Sequence, residues 1–187
     1  MRPSLLALAL VALSPLHSVA STPVEAGAAI AGDPASASPS GSATKFVEPA
    51  AGLRTGGQPD ARDLAQLHAQ GVRTVIDLRA TGEDRGFDEA AEVARLGMTY
   101  VALPIAGKDD ITAENAQALQ VLLREHGDST LVHCASGNRV GALLALGAAR
   151  SGVSREEALA LGLRAGLTSL EPVVAAQLDA EGVPSPE

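Results

Sequence analysis

The sequence predicts a single α/β domain in which a mainly parallel central sheet is flanked by helices. Two observations support this prediction. Short apolar segments rich in β-branched residues alternate along the chain with longer segments that have helical periodicity. Gly, Pro or charged residues separate most of these segments. Alternation of strands and helices favours parallel strands joined by right-handed crossovers, whose ligands bind beyond the carboxyl ends of the strands.

Four segments are candidate strands. Residues 72–78 have the apolar, β-branched content of a buried strand, and residues 98–103 form the next strand, which ends at Pro104. Thr130–His133 is a short buried strand, and residues 46–47 form a short edge strand. A tight turn over residues 56–59 follows that edge strand.

The helices are predicted from their caps and their apolar faces. Asp60 caps a helix that ends at Gly71, and Thr112 caps a helix that runs to His126. Ser154 and Glu157 have the spacing of a capping box at the start of a further helix. The remaining predicted helices cover residues 87–96 and 139–150, and a last helix follows Pro172.

The first 44 residues do not belong to the predicted domain. Residues 1–20 combine one arginine, a short apolar run and a Ser-Val-Ala cleavage site, which is typical of a secretory signal peptide. The apolar run is too short for a stable membrane span, although an uncleaved signal anchor is an open alternative. Residues 21–44 are mostly Ala, Ser, Gly and Pro, so we expect a disordered linker. We therefore expect an exported, periplasmic protein whose folded α/β domain occupies residues 45–187.

The composition excludes several classes of function. The 187 residues carry 22 acidic and 14 basic side chains, for a net charge of −8, and three aromatic residues. These values argue against nucleic acid as a partner, since nucleic-acid binding uses basic patches and aromatic stacking. The single cysteine excludes an internal disulfide and a multi-cysteine zinc site. We expect neither a metal nor a cofactor, and the sequence does not indicate an oligomeric state.

The strongest chemical motif is the segment from His133 to Gly141, where a predicted strand gives way to a helix. Backbone N–H groups converge in such a loop and the helix dipole adds positive charge, which favours a thiolate at Cys134. Gly137 allows the loop to turn, and Arg139 offers a permanently charged fork for an oxyanion. These features predict a nucleophile directed at a bound anion, whereas the alternative is an inert, buried cysteine.

Together with this loop, two upstream motifs resemble the cysteine-phosphatase superfamily of tyrosine and dual-specificity phosphatases. They are the Thr-Gly-Gly-Gln-Pro turn at residues 55–59 and the Thr-Val-Ile-Asp-Leu-Arg segment at residues 74–79, with Glu83 beyond it. The resemblance covers residues 46–170 and is to the phosphatase-like domain of β-lactamase-hydrolase-like proteins. It implies a dual-specificity-like fold that acts on a phosphorylated protein or a small-molecule phosphate.

The resemblance also implies roles for individual residues. Cys134 would be the nucleophile that forms a phosphocysteine, and Arg139 would bind phosphate with the loop residues Ala135, Ser136, Gly137 and Asn138. His133 would order the loop and favour the thiolate. Asp109 or Asp110 would be the general acid, although either residue could instead act as a local helix cap.

Further roles near the site stay open at the level of sequence. Ser136 or Asn138 would hydrogen-bond within the loop or to the thiolate, or Asn138 would simply favour a turn. Arg79 and Glu83 would pair with each other, or Arg79 would contact the anion. Asp77 is interpreted as a structural residue at a strand end.

One departure from the family keeps two other functions open. Tyrosine phosphatases have five residues between Cys and Arg, whereas this chain has four, as rhodanese-type sulfurtransferases do. The first alternative is therefore a sulfurtransferase that carries a persulfide on Cys134. Rhodanese loops usually have Arg directly after Cys, and Ala135 in that position counts against sulfur transfer. The second alternative is a non-catalytic module that binds an oxyanion.

Overall fold

The structure, a computed structural model, describes residues 45–127 and 129–183. The predicted signal peptide and linker lie outside the described residues. The described part confirms the α/β prediction, with six α-helices and a five-stranded sheet. The strands are β1 (Phe46–Ala50), β2 (Leu53–Gly56), β3 (Thr74–Asp77), β4 (Thr99–Ala102) and β5 (Thr130–His133). The helices are α1 (Ala61–Ala69), α2 (Glu89–Arg95), α3 (Ala113–His126), α4 (Asn138–Arg150), α5 (Arg155–Arg164) and α6 (Glu171–Ala180).

The strands are arranged in the order β1-β2-β5-β3-β4. β2, β5, β3 and β4 are parallel to their neighbours, and β1 pairs antiparallel with β2 at the edge. β5 is therefore a central strand, hydrogen-bonded on both sides. The carboxyl ends of the four parallel strands meet at one edge of the sheet, which is where the motif that begins at His133 lies.

Alternate residues of the central strands point to opposite faces of the sheet, as strand geometry requires. Val75 and Leu131 pack with Leu64, Leu67 and Val93, which come from α1 and α2. Their sequence neighbours Ile76 and Val132 pack in a second, larger core on the other face of the sheet. That core includes buried residues of four helices, among them Leu119 of α3, Leu143 of α4, Ala158 of α5 and Leu178 of α6. Both faces of the sheet are thus covered.

β2 was not predicted from the sequence. Leu53 is its only large apolar residue, and the strand ends in Gly56, which has a low strand propensity. Its four residues pair in parallel with the four residues of β5, so the pairing partner specifies this strand. The sequence of this segment by itself shows no strand periodicity.

The helix caps follow the predictions closely. The Asp60 carboxylate accepts from the Asp63 backbone N–H at 2.8 Å, and the Asp63 carboxylate accepts from the Asp60 N–H at 2.9 Å, which completes a capping box. Ser154 caps α5, but the Glu157 carboxylate accepts from the Ser154 hydroxyl at 2.8 Å. This side-chain bond replaces the backbone bond of a full capping box. Within residues 45–127 and 129–183, no helix has both the length and the apolar character needed to cross a membrane.

Candidate active site

Cys134 immediately follows β5, and α4 begins four residues later at Asn138. The thiol is buried, and its sulfur accepts a hydrogen bond from the Gly137 backbone N–H at 3.1 Å. Gly137 has φ of 90°, a left-handed conformation that glycine adopts without strain. This conformation turns the chain from the cysteine loop into α4. A thiolate in this position would be stabilised by the loop and by the helix dipole.

The turn at residues 56–59 packs against the cysteine loop, which comprises residues 134–139. Gly57 forms an isolated antiparallel bridge with Ser136, and the Gln58 N–H donates to the Ala135 carbonyl at 3.2 Å. A Cβ on Gly57 would lie 2.9 Å from the Ala135 oxygen, so a larger residue would displace the loop. The side chains of Ala135 and Ser136 are exposed at the rim. The Gly-Gln-Pro motif therefore has a structural role at this site.

Arg139, in the first turn of α4, is held by Glu83 and by the loop after β4. Its Nη1 and Nη2 donate to the two Glu83 carboxylate oxygens at 2.5 and 2.7 Å, and Nη1 also donates to the Ile105 carbonyl at 2.6 Å. The hydrogen bonds from Arg139 lower the pKa of Glu83, and those to Glu83 raise the pKa of Arg139. The thiol of Cys134 lies close enough to contribute to the same shift of Arg139.

These contacts decide which edge of the guanidinium can bind an anion. An arginine has five N–H groups, and three of those of Arg139 are used by Glu83 and Ile105. The Nε–H and the second Nη2–H are not used by Glu83 or by the Ile105 carbonyl. They lie on one edge of the planar group, which is the geometry that binds two oxygens of a phosphate or sulfate. Glu83 thus orients Arg139 without occupying this edge.

Arg79 does not pair with Glu83 and does not reach the anion side of the loop. Its side chain is buried, with 1% of its surface exposed, and donates to the Asp77 carboxylate at 2.9 Å and to Glu89. The sequence left two roles open for Arg79, a pair with Glu83 or a contact with the anion, and the buried position of its side chain fits neither. Glu83 pairs with Arg139 instead, and Arg79 belongs to the interior.

Asp77, Arg79, Glu89 and His133 form a buried ionic cluster behind the cysteine loop. All four side chains are fully buried. Burial opposes ionisation of Asp77, but hydrogen bonds from Arg79 outweigh it and lower its pKa well below the usual range. The Tyr100 hydroxyl donates to Asp77 at 2.8 Å, and burial together with this bond raises the pKa of Tyr100 to about 12. Asp77 therefore has the structural role predicted for it.

His133 connects this buried ionic cluster with Cys134. Its Nε2 lies 2.7 Å from Glu89 Oε1, and neither atom has a hydrogen-bond partner among the described residues. Its Nδ1 lies 3.4 Å from the carbonyl oxygen of Cys134. The sequence did not single out Glu89, because acidic residues are common in the first turn of a helix and are usually exposed there. Only tertiary packing buries it here.

Asp77, Glu89 and His133 also form the one group of three possible metal ligands within the described ranges, with ligand atoms within 4.8 Å of one another. Arg79 donates to both carboxylates of this group. A permanent cation therefore already neutralises the oxygens that a metal ion would need. The residues do not fit a metal centre.

The two candidate acids lie in a short 3-10 turn over Lys108–Asp110. The Asp110 carboxylate accepts from the Ala106 N–H at 2.7 Å, which holds the turn together. Asp109 is exposed. The segment begins at Ile105, whose carbonyl accepts from Arg139, so this loop borders the Arg139 side chain.

Asn138 has a role that differs from both sequence interpretations. Its side-chain oxygen accepts from the Thr168 and Leu170 backbone N–H groups at 2.8 and 3.3 Å, and its amide donates to Ser169 at 2.8 Å. Asn138 therefore ties the connection between α5 and α6 to the start of α4. It does not bond to the thiol.

Comparisons with known proteins identify the family and the fold of this chain. The family model described as a DSP-PTPase phosphatase fused to NAD+ kinase matches residues 31–170. A β-lactamase hydrolase-like protein of Xylella fastidiosa is 36% identical over 123 residues, which are 63% of this chain and 28% of that protein. The chain thus matches little more than a quarter of the length of this curated relative.

Solved structures share the fold at low sequence identity. A candidate phosphatase from Neisseria meningitidis superposes with a TM-score of 0.60 at 18% identity, covering 68% of this chain and 94% of that one. Tk-PTP in its active form superposes with a TM-score of 0.56 at 21% identity, covering 74% of this chain and 99% of that one. With its cysteine loop, its parallel sheet and this family match, the chain belongs to the dual-specificity-type protein tyrosine phosphatase family described as fused to NAD+ kinase.

Proposed function

We propose that this protein is a cysteine-dependent phosphatase that hydrolyses phosphomonoesters through a phosphocysteine on Cys134. The observation that carries the proposal is the position of Arg139, whose Nε and Nη2 edge is not used by Glu83 or by the Ile105 carbonyl. The Gly137 N–H bonded to the sulfur supports it, because the same loop would cradle the anion that the sulfur attacks. The phosphate-binding loop in this proposal is Ala135, Ser136, Gly137 and Asn138 with Arg139.

The reaction divides into two displacements. The Cys134 thiolate attacks phosphorus, a sulfur–phosphorus bond forms, and the bond to the ester oxygen breaks with its electron pair on that oxygen. An aspartic acid then protonates the leaving oxygen. In the second step water attacks phosphorus, the same aspartate accepts its proton, and the thiolate leaves with inorganic phosphate as the other product. Arg139 and the loop N–H groups stabilise the negative charge on the phosphoryl oxygens throughout.

The structure favours Asp109 over Asp110 as this acid. The Asp110 carboxylate already accepts the Ala106 N–H inside its own turn, whereas Asp109 is exposed on the loop that borders Arg139. The loop would need to close over a bound ester to deliver the proton. Closure of this kind is common in enzymes that exclude water from the reacting group.

The first test is release of phosphate from an aryl phosphate by the purified protein, with Cys134→Ser beside it. We expect turnover that Cys134→Ser abolishes and that vanadate inhibits. Arg139→Lys should also lose most of the activity, since lysine keeps the charge but not the planar fork. Turnover that persists in Cys134→Ser would contradict the phosphocysteine mechanism.

Sulfur transfer is a second candidate, because only four residues separate Cys134 from Arg139. In that reaction the thiolate attacks the outer sulfur of thiosulfate and sulfite leaves, after which cyanide removes the persulfide sulfur as thiocyanate. A non-catalytic module would instead bind the oxyanion and would keep that binding in Cys134→Ser. Thiocyanate formation without phosphate release would favour the first alternative, and binding without turnover of either substrate would favour the second.

We also propose that the protein is exported and acts in the periplasm on a phosphorylated protein or a small-molecule phosphate. The proposal rests on the apolar run and the Ser-Val-Ala site near the amino terminus. Amino-terminal sequencing of the protein from its native host tests it, and we expect the mature chain to begin at Ser21. A chain that retains Met1 or Arg2 would contradict cleavage.

A further inference from the structure

The environment of His133 determines where its protons must lie. Nε2 faces the Glu89 Oε1 atom at 2.7 Å and the Asp77 Oδ1 atom at 3.8 Å, and Nδ1 faces the Cys134 carbonyl oxygen at 3.4 Å. Each ring nitrogen therefore faces an oxygen that can only accept. A neutral imidazole has a proton on one nitrogen only, so its bare nitrogen would point at an acceptor.

The charges around the ring favour the same state. Asp77 and Glu89 are two buried carboxylates, and Arg79 is the one fully buried cation that binds them. Arg85 also reaches Asp77, at 3.2 Å, but from a partly exposed position at the edge of the buried ionic cluster. A net negative charge in a fully buried site is costly. A second buried positive charge, on the ring itself, would balance the two carboxylates.

We propose that Glu89 is a positioning residue for the nucleophile, because it holds His133 as an imidazolium directly behind the Cys134 loop. This inference rests on the proposed role of Cys134 as the nucleophile. Glu89 reaches the ring from α2, an element that contributes nothing else to the site. The imidazolium donates from Nδ1 to the Cys134 carbonyl and places a positive charge one residue from the sulfur. Both effects favour the thiolate.

Charged and polar groups from β3, α2, β4 and the segments between them surround His133. Asp77 and Arg79 come from β3 and the residues after it, and Glu89 comes from α2. Tyr100 of β4 and Arg85 act on the ring through their bonds to Asp77. Glu89 differs from the others because its Oε1 contacts the ring at 2.7 Å and has no hydrogen-bond partner among the described residues, while its Oε2 accepts from Arg79. Its substitution therefore tests the ring contact most directly.

The test measures the thiolate of Cys134 in the full chain by its ultraviolet absorbance as a function of pH. Cys134 is the only cysteine, so the Cys134→Ser protein supplies the blank. We expect Glu89→Gln to raise the midpoint of the titration by about one pH unit, a tenfold loss of thiolate below the midpoint. Glu92→Gln is the matched control, since Glu92 lies one turn along α2 and pairs with Arg95 at the surface. That variant should leave the midpoint unchanged.

The sign of the shift separates this proposal from a simpler one. If Glu89 acted only as a nearby negative charge, its removal would favour the thiolate and lower the midpoint. A lower or unchanged midpoint in Glu89→Gln would therefore overturn the inference. In a His133→Asn background, Glu89→Gln should no longer raise the midpoint, because the ring through which it acts is gone.

The result is also distinguishable from failure of the proposed function. A wild-type midpoint near that of an ordinary thiol, about 8.5, would count against Cys134 as an activated nucleophile. A low wild-type midpoint that Glu89→Gln does not move would leave the nucleophile intact and remove only the role of Glu89.

A second measurement does not depend on whether Glu89→Gln folds. NMR of the ring nitrogens in the wild-type chain reports the protonation of each histidine, and the His133 signals are those absent from His133→Asn. We expect both His133 nitrogens to carry a proton at neutral pH. A neutral His133 ring under those conditions would overturn the inference.

Discussion

Glu83 and Arg139 are 56 residues apart in the chain and meet through both oxygens of the carboxylate and both terminal nitrogens of the guanidinium. Glu83 itself is fixed by the Ala80 N–H, which donates to its Oε1 at 2.7 Å. Arg139 follows β5, whereas Glu83 follows β3. The guanidinium of Arg139 is therefore oriented by a residue that follows a different strand. Such fixed orientation limits the reorganisation needed when an oxyanion binds.

This pair predicts the effect of Glu83→Gln. The amide keeps the shape of the side chain but loses the charge and one acceptor, so Arg139 would be held less firmly. We expect kcat/KM for an aryl phosphate to fall about tenfold or more, as for loss of a hydrogen bond to a charged group. Asp84→Asn, in the same loop, is the control and should retain activity. Equal activity in the two variants would show that Arg139 needs no such support.

The proposed role of the turn over Lys108–Asp110 as the source of the general acid predicts an effect that depends on the leaving group. Asp109→Asn should lower kcat by about a hundredfold for an alkyl phosphate, whose leaving oxygen needs a proton, and by much less for an activated aryl phosphate. Asp110→Asn should reduce both rates similarly and modestly, because it loosens the turn held by Ala106. The reverse pattern would identify Asp110 as the acid.

Two glycines of α4 should respond oppositely to alanine. A Cβ on Gly141 would lie 2.3 Å from the Leu167 nitrogen and 2.5 Å from the Gly162 oxygen, and neither backbone atom can move freely. We expect Gly141→Ala to destabilise the protein by about 1–3 kcal/mol, as overpacking does. Urea unfolding, followed by circular dichroism, measures this change.

Gly147→Ala is the matched control in that experiment. Its Cβ would meet the end of the flexible Gln120 side chain, which can rotate away. Because alanine favours a helix over glycine by about 1 kcal/mol, this variant should be neutral or more stable. A stable Gly141→Ala protein would contradict the close packing of α4 against the turn after α5.

The raised pKa of Tyr100 predicts that the folded protein loses stability at alkaline pH. Burial and the bond to Asp77 raise its pKa to about 12 in the folded protein, whereas an unfolded tyrosine titrates near 10. The stabilisation is therefore complete below about pH 10 and is lost as the pH rises towards 12, because the unfolded chain releases the proton more readily.

Tyr100→Phe removes both the bond and this dependence. We expect a loss of about 1 kcal/mol at neutral pH, from the hydrogen bond to a carboxylate, and a weaker decline of stability above pH 10. Urea unfolding at a series of pH values compares the two proteins. Parallel curves for wild type and variant across the alkaline range would show that other groups cause the decline.

Much of this molecule follows from local sequence. The strand at Thr130–His133, the Thr112 cap and the apolar face of α4 are specified by side chains close together in the chain, so periodicity and capping predict them. The same holds for the motif from His133 to Gly141, because a strand end, a glycine and a helix start are all local features.

Tertiary structure alone decided the partners of the charged residues. Both Arg79 and Arg139 follow strand ends in the sequence, yet Arg79 is buried with Asp77 and Glu89, whereas Arg139 is held by Glu83 beside the cysteine loop. β2 likewise exists because β5 offers it a parallel partner. Such pairings depend on which strand ends lie side by side, and strand order is a property of the folded sheet that local side chains do not encode.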